Sequence, residues 1–165
     1  RSVVDSGHYK CYHIFTGHKK GIVLMFFLTG EYDHQIDAKN RIRIPAKLKG
    51  SEDKLYFSKG TNNCIFVFYE AAVKEKLEKI EEIKISEVEK QKGLRAFMYS
   101  LKLVELDPQG RLVIPPELKA FAKIKKDIKI CGSGSRIEIW AKEVYDEYFS
   151  DTDENFDVNF SYLDI

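Results

Sequence analysis

The chain has 165 residues, 44% of them apolar and 32% charged, with 27 Lys and Arg against 26 Asp and Glu for a formal net charge of +1. That length suits one domain of ordinary size, or two small halves sharing a core, and the composition is that of a soluble globular chain. A balance so near neutrality excludes recognition of an acidic partner by bulk charge, so any nucleic-acid contact must come from local patches.

Residues 1–24 carry four basic residues and one Asp, and they differ in character from the rest of the chain. The first Met is Met25, just ahead of the repeat-like sequence, so residues 1–24 are expected to be a foreign or upstream-translated extension. They hold His8, Cys11, His13 and His18, ligand types that suit zinc or nickel. Their spacing matches no standard finger, and neither a metal nor another cofactor is expected. Cys11, Cys64 and Cys131 are odd in number and widely spaced, which argues against a disulfide framework and for a reducing compartment. The apolar run from Ile22 to Leu28 is far shorter than the ~20 residues of a membrane span, and no membrane association or secretion is expected.

From Met25 a strand is expected over about 25–36, a turn over 37–40, and a strand over 41–44 in which Ile42 and Ile44 alternate with Arg41 and Arg43. Pro45 suits a first helical position and places a short helix over about 46–50. Two strands, from Leu55 to Phe57 and from Cys64 to Phe68, flank a Gly60-Thr61-Asn62-Asn63 turn. A Lys/Glu-rich helix from about Glu70 presents Val73, Leu77 and Ile80 on one face. Ser86-Glu87-Val88-Glu89 reads as a capping box opening a second helix toward Met98. The order then repeats: strand 100–106, turn 107–110, strand 111–114 and short helix 116–122. Strands 127–131 and 136–140 enclose Gly132-Ser133-Gly134-Ser135, and a helix over 141–149 closes the half. The expected units are a first half over 25–84, a second over 85–149, and an acidic tail over 150–165. The tail has five acids and no base, beside Phe156, Phe160 and Tyr162. It reads as a solvated acidic end, or as a segment that docks on a basic face and competes with phosphate.

The repetition is explicit. Ile36-Asp37-Ala38-Lys39-Asn40-Arg41-Ile42-Arg43-Ile44-Pro45-Ala46-Lys47-Leu48-Lys49 returns as Leu106-Asp107-Pro108-Gln109-Gly110-Arg111-Leu112-Val113-Ile114-Pro115-Pro116-Glu117-Leu118-Lys119. Six of the 14 pairs are identical and two more are Ile/Leu exchanges. Ile65/Ile137, Val67/Ile139 and Phe68/Trp140 carry the repeat through the hairpins at an offset of 72. One unit used twice implies a pseudo-two-fold arrangement.

Each copy brackets a turn with an Asp and an Arg. Asp37 and Asp107 can accept backbone N–H groups there, and Asn40 and Gly110 both tolerate positive φ. Residues 38–49 hold Lys39, Arg41, Arg43, Lys47 and Lys49 and no acid, a pattern that suits phosphate contact. An Arg held on a fixed turn can also grip guanine O6 and N7. Half two has Gln109 for Lys39 and Glu117 for Lys47, so Arg41 is expected to matter more than Arg111. Two halves that each donate an Asp also suggest an aspartic protease, but neither Asp is followed by the Thr/Ser-Gly such sites use, and catalysis is not expected.

Gly30-Glu31-Tyr32, the doubled Asp-x-x-x-Arg segments and Ile137-Glu138-Ile139-Trp140 closely resemble the MraZ family of AbrB-like bacterial DNA-binding proteins. The resemblance covers about residues 25–149. It implies a β-rich α+β fold: a duplicated swapped-hairpin (double-split) β-barrel of AbrB type with peripheral helices. It implies a ring-shaped homo-oligomer in the cytoplasm, nucleoid-associated. The implied role is transcriptional regulation of the cell-division and cell-wall operon through double-stranded DNA with repeated sites upstream. It also implies DNA contact by Arg41 and Arg111, with Lys39 and Arg43 as weaker additions; Lys47 joins these candidates on the local run of charge alone. The alternative is a protein-interaction or antitoxin-like scaffold without DNA specificity of its own.

Overall fold

The computed structural model describes residues 27–163, together with a backbone pairing of strands β1 (Tyr12–His13) and β2 (Leu24–Met25). The side chains of the His/Cys cluster in residues 8–18 lie outside the described residues, as does Asp164 of the tail. The chain is a mixed α+β protein. Its remaining strands are β3 (Glu31–Gln35), β4 (Arg41–Arg43), β5 (Lys54–Lys59), β6 (Ile65–Tyr69), β7 (Lys102–Glu105), β8 (Arg111–Val113), β9 (Asp127–Ser133) and β10 (Arg136–Ala141). Its helices are α1 (Glu70–Glu81), α2 (Val88–Ser100), α3 (Pro116–Phe121), α4 (Lys142–Tyr148) and α5 (Phe156–Ser161).

Six strands form one antiparallel sheet in the order β3-β9-β10-β6-β5-β7, and β4 pairs with β8 in a separate two-stranded ribbon. The first strand of each half pairs with the hairpin of the other: β3 lies on β9, and β7 lies on β5. Both central pairings match equivalent residues of the repeat. Ile42 sits opposite Leu112 in the ribbon, and Phe66 opposite Glu138 between β6 and β10. Antiparallel pairing of equivalents is what a two-fold axis produces, so the duplication read in the sequence is a spatial pseudo-symmetry.

The core belongs to both halves. Phe57, Ile65 and Val67 from one, and Ile128, Ile130, Ile137 and Ile139 from the other, are fully buried in one cluster with Leu48, Leu112, Ile114 and Leu118. In β9 the buried residues alternate with more exposed ones, the period of a strand with one face on a core, while the ends of β6 and β10 are buried on both faces. On α1, Val73 is buried while Leu77 and Ile80 are half-buried, so the expected apolar face exists but is shallow. No helix among the described residues is long and apolar enough to cross a membrane.

Three local expectations need correction. The strand expected over 25–36 is broken at Gly30, where φ is 91°, although Leu28 still bridges Gly134 in the register that β3 keeps with β9. Pro45 precedes the first helical residue, and the helix expected over 46–50 is a single 3-10 turn, Ala46–Leu48. The capping box does not form: Glu87 is the N-cap of α2 without a side-chain cap bond, and its carboxylate instead accepts the Lys84 amide N–H at 3.1 Å. The tail contains α5, where Phe156 and Phe160 stack with centroids 5.9 Å apart while staying exposed.

Gly132 and Gly134 have different duties. At Gly134 φ is 67°, the first central position of the two-residue turn between β9 and β10, and a Cβ added there would meet open space. Gly132 instead lets the backbone at Leu28–Thr29 approach β9 closely, and its N–H donates to the Gly30 carbonyl at 2.8 Å. A Cβ on Gly132 would lie 2.4 Å from the Thr29 nitrogen and 2.5 Å from the Leu28 carbonyl carbon, both backbone atoms. Gly132→Ala is therefore expected to cost about 2–3 kcal/mol in urea unfolding, and Gly134→Ala only about 1 kcal/mol. Equal costs would mean that the close approach at Gly132 is absent in solution.

Candidate nucleic-acid interface

The two Asp-x-x-x-Arg turns fold alike, bond for bond. Asp37 Oδ1 accepts the Lys39 and Arg41 amide N–H groups at 2.8 and 2.9 Å, and Oδ2 accepts Arg41 Nε–H at 2.7 Å. Asp107 does the same with Gln109 and Arg111 at 2.9 and 2.8 Å, and with Arg111 Nε–H at 2.7 Å. The fourth residue of each turn is left-handed, φ being 57° at Asn40 and 71° at Gly110. Asn is one of the few side chains that accept this conformation, which is why the turn survives without glycine in half one.

Each Asp thus serves the turn and its arginine at once. In both turns the carboxylate occupies the Nε edge of the guanidinium. In half two Gln109 Oε1 also accepts from Arg111 Nη2 at 2.9 Å. The Nη1 groups of Arg41 and Arg111 have no partner among the described residues. A guanidinium held on one edge loses rotamer freedom before any ligand arrives, which lowers the entropic cost of a contact.

The ribbon turns these residues outward. Ile42 and Leu112 face the core, while Arg41, Arg43, Arg111 and Val113 form the opposite face. The register sets Arg41 beside Val113 and Arg43 directly opposite Arg111. Like charges facing each other across a strand pair are destabilising. Lys39, Arg43 and Lys47 are exposed and enter no ion pair among the described residues, so the strip is not neutralised from within the chain. In half two, Glu117 sits 3.1 Å from Lys102, which offsets its negative charge.

Two supports were not anticipated from the sequence. Tyr69 Oη donates to the Leu48 carbonyl at 2.7 Å and accepts the Gly50 amide at 2.6 Å, which pins the 3-10 turn that carries Lys47. Lys119 Nζ donates to Asn40 Oδ1 at 2.7 Å, and the Ile114 amide donates to the Asn40 carbonyl at 2.9 Å, joining the first turn to the second half. The lysine that ends each repeated segment was the available signal, since Lys119 and Lys49 are equivalents. No group of His, Cys, Asp and Glu suited to a metal occurs among the described residues. Burial pushes the thiols of Cys64 and Cys131 up to about 12, so neither is a ready nucleophile.

The side-chain bond from Arg41, followed by its backbone N–H, draws the Asp37 carboxyl down from 3.8 to about 2. At Asp107 desolvation pushes upward, but the Arg111 backbone and side-chain bonds outweigh it and the net shift is downward. A depressed carboxylate stabilises the fold above its ordinary range and loses that contribution as pH falls through its folded value. The Asp37 carboxyl should therefore titrate near pH 2 by NMR, with the Lys39 and Arg41 amide signals moving only there. Movement already near pH ~4, the ordinary range of a free Asp, would mean that the clamp is open in solution.

Comparison with known proteins places the chain in one family. The family described as "MraZ protein, putative antitoxin-like" matches the chain twice, over residues 27–96 and 100–161, and so extends beyond residue 149 into the tail. A protein of Thermoanaerobacter pseudethanolicus named "Transcriptional regulator MraZ" is 38% identical over 83% of this chain and 96% of its own length. Proteins of the same name from Finegoldia magna and Desulforamulus reducens are 35% and 32% identical, over 77% and 78% of this chain and 90% and 91% of theirs. The chain belongs to the MraZ family.

Proposed function

We propose that this chain is a non-enzymatic transcriptional regulator that binds double-stranded DNA with sequence specificity through the β4–β8 ribbon and the turns leading into it. The observation that carries the reading is the outward face of that ribbon, where Arg41, Arg43 and Arg111 stand together and Arg43 directly opposes Arg111. Such a face is strained without an anion and relieved by one. A two-stranded ribbon fits the DNA major groove, and arginine suits guanine O6 and N7. Lys39 and Lys47, at the ends of the strip, are placed to meet phosphates. The name of the three relatives points the same way.

The exchange of β3 and β7 between halves supports a swapped-hairpin barrel of AbrB type, in which one chain supplies both halves. Ile85, Val88, Tyr99 and Leu103 remain exposed, and burial of such residues against further copies would build the ring expected for the family. The regulated DNA would be repeated sites upstream of the cell-division and cell-wall operon, with the protein cytoplasmic and nucleoid-associated. The same exposed residues favour the second reading, a scaffold that binds protein alone.

Mobility shifts with the DNA upstream of the chain's own gene, over a salt series, separate the two. The regulator gives tight binding that falls with salt; a protein-only scaffold gives no such slope. Because the register brings Arg43 alongside Arg111, the advantage expected for Arg41 is narrowed. Arg41→Ala and Arg111→Ala should each cost about 1–3 kcal/mol. Lys39→Ala should weaken all duplexes evenly and reduce the salt slope by about one. Unchanged affinity in both arginine variants would contradict the interface. By light scattering at micromolar concentration the chain should be larger than a dimer, and a monomer would contradict the ring.

A further inference from the structure

The pseudo-symmetry of the ribbon fails at one place on its outward face. Arg41 and Arg111 are equivalents, but the equivalent of Arg43 is Val113. Val113 is 49% exposed, on the same face of β8 as Arg111 and directly across from Arg41. A lone exposed valine in a strand is common. This one occupies a corner of a four-residue face whose other three corners are arginines. Its chemistry therefore differs from its surroundings at the point where its counterpart carries a charge.

We infer that Val113 is a specificity-determining residue that reads the C5 methyl group of a thymine in the major groove. The inference rests on the regulator reading and deepens it. The thymine methyl is the apolar feature of the major-groove code, and aliphatic side chains are its partners. Val113 projects from a β-branched position with little rotamer freedom, so its methyl groups are held in place without further support. The neighbouring arginines bring the ribbon close to the bases, and they give Val113 itself no polar partner to satisfy. Arg43, at the equivalent corner of half one, would meet a base acceptor or a phosphate. One chain would then read two unlike half-sites, an arginine contact on one side and an apolar contact on the other.

The test uses the full chain and duplexes selected by it from a randomised pool. In the selected duplex each thymine is replaced in turn by uracil, which lacks only the C5 methyl. For the wild type one replacement should weaken binding about three- to fivefold, the size expected for one buried methyl group. Val113→Ala should lose that discrimination while binding the uracil duplex as the wild type does, and Arg43→Ala should retain it. Light scattering of Val113→Ala guards against an indirect effect, since an altered assembly would show the residue buried between copies and overturn the assignment. A tightly bound duplex with no methyl-sensitive thymine, or sensitivity that persists in Val113→Ala, overturns the assignment alone. A pool that yields no duplex overturns the regulator reading and the assignment with it.

Discussion

Two antiparallel pairings of equivalent residues, Ile42 with Leu112 and Phe66 with Glu138, hold the rest of the structure in place. Each half is too small to bury its own strands. Its first strand leaves an edge that the other half's hairpin covers, as β3 on β9 and β7 on β5. Side chains alternate between faces along a strand, so a slip of one residue in the ribbon would turn Ile42 and Leu112 to solvent and their arginine neighbours into the core. The burial of Ile42, Ile44, Leu112 and Ile114 thus fixes the orientation of the cations.

That coupling explains how a chain with a net charge of +1 can present a cationic strip. The charge is not in excess; it is placed. Asp37 and Asp107 sit beside the arginines, where they would be expected to cancel them, yet each holds one side of its guanidinium, Asp37 with Arg41 Nη2 at 2.6 Å as well as Nε, and also ties down the turn. The guanidinium is oriented rather than consumed. The strip is then bounded by cations without internal partners among the described residues, at Lys39, Arg43 and Lys47, while Glu117 of the second half engages Lys102.

Much of this was legible in the amino-acid order because the chain states it twice. The Asp-x-x-x-Arg turns, the positive φ at Asn40, the hairpins and the alternation of Ile42 and Ile44 with Arg41 and Arg43 all rest on local rules of turn and strand. What local rules could not supply was partnership between residues far apart in the chain: Arg43 opposite Arg111, Lys119 on Asn40, Tyr69 on Leu48. The break at Gly30 was missed for a related reason. The stretch reads as one strand unless the close approach of its backbone to Gly132 is known. The capping box failed because Glu87, a residue inside the motif, took the N-cap position and turned its carboxylate to Lys84.

The central claim is that DNA is met by the two equivalent turns and the ribbon between them. NMR chemical-shift mapping of the full chain titrated with its own upstream DNA tests this most directly. The account predicts that the perturbed amides cluster at residues 37–47 and 107–113, from both halves at once. Perturbations confined to α2 and α5, with those two segments unchanged, would contradict it.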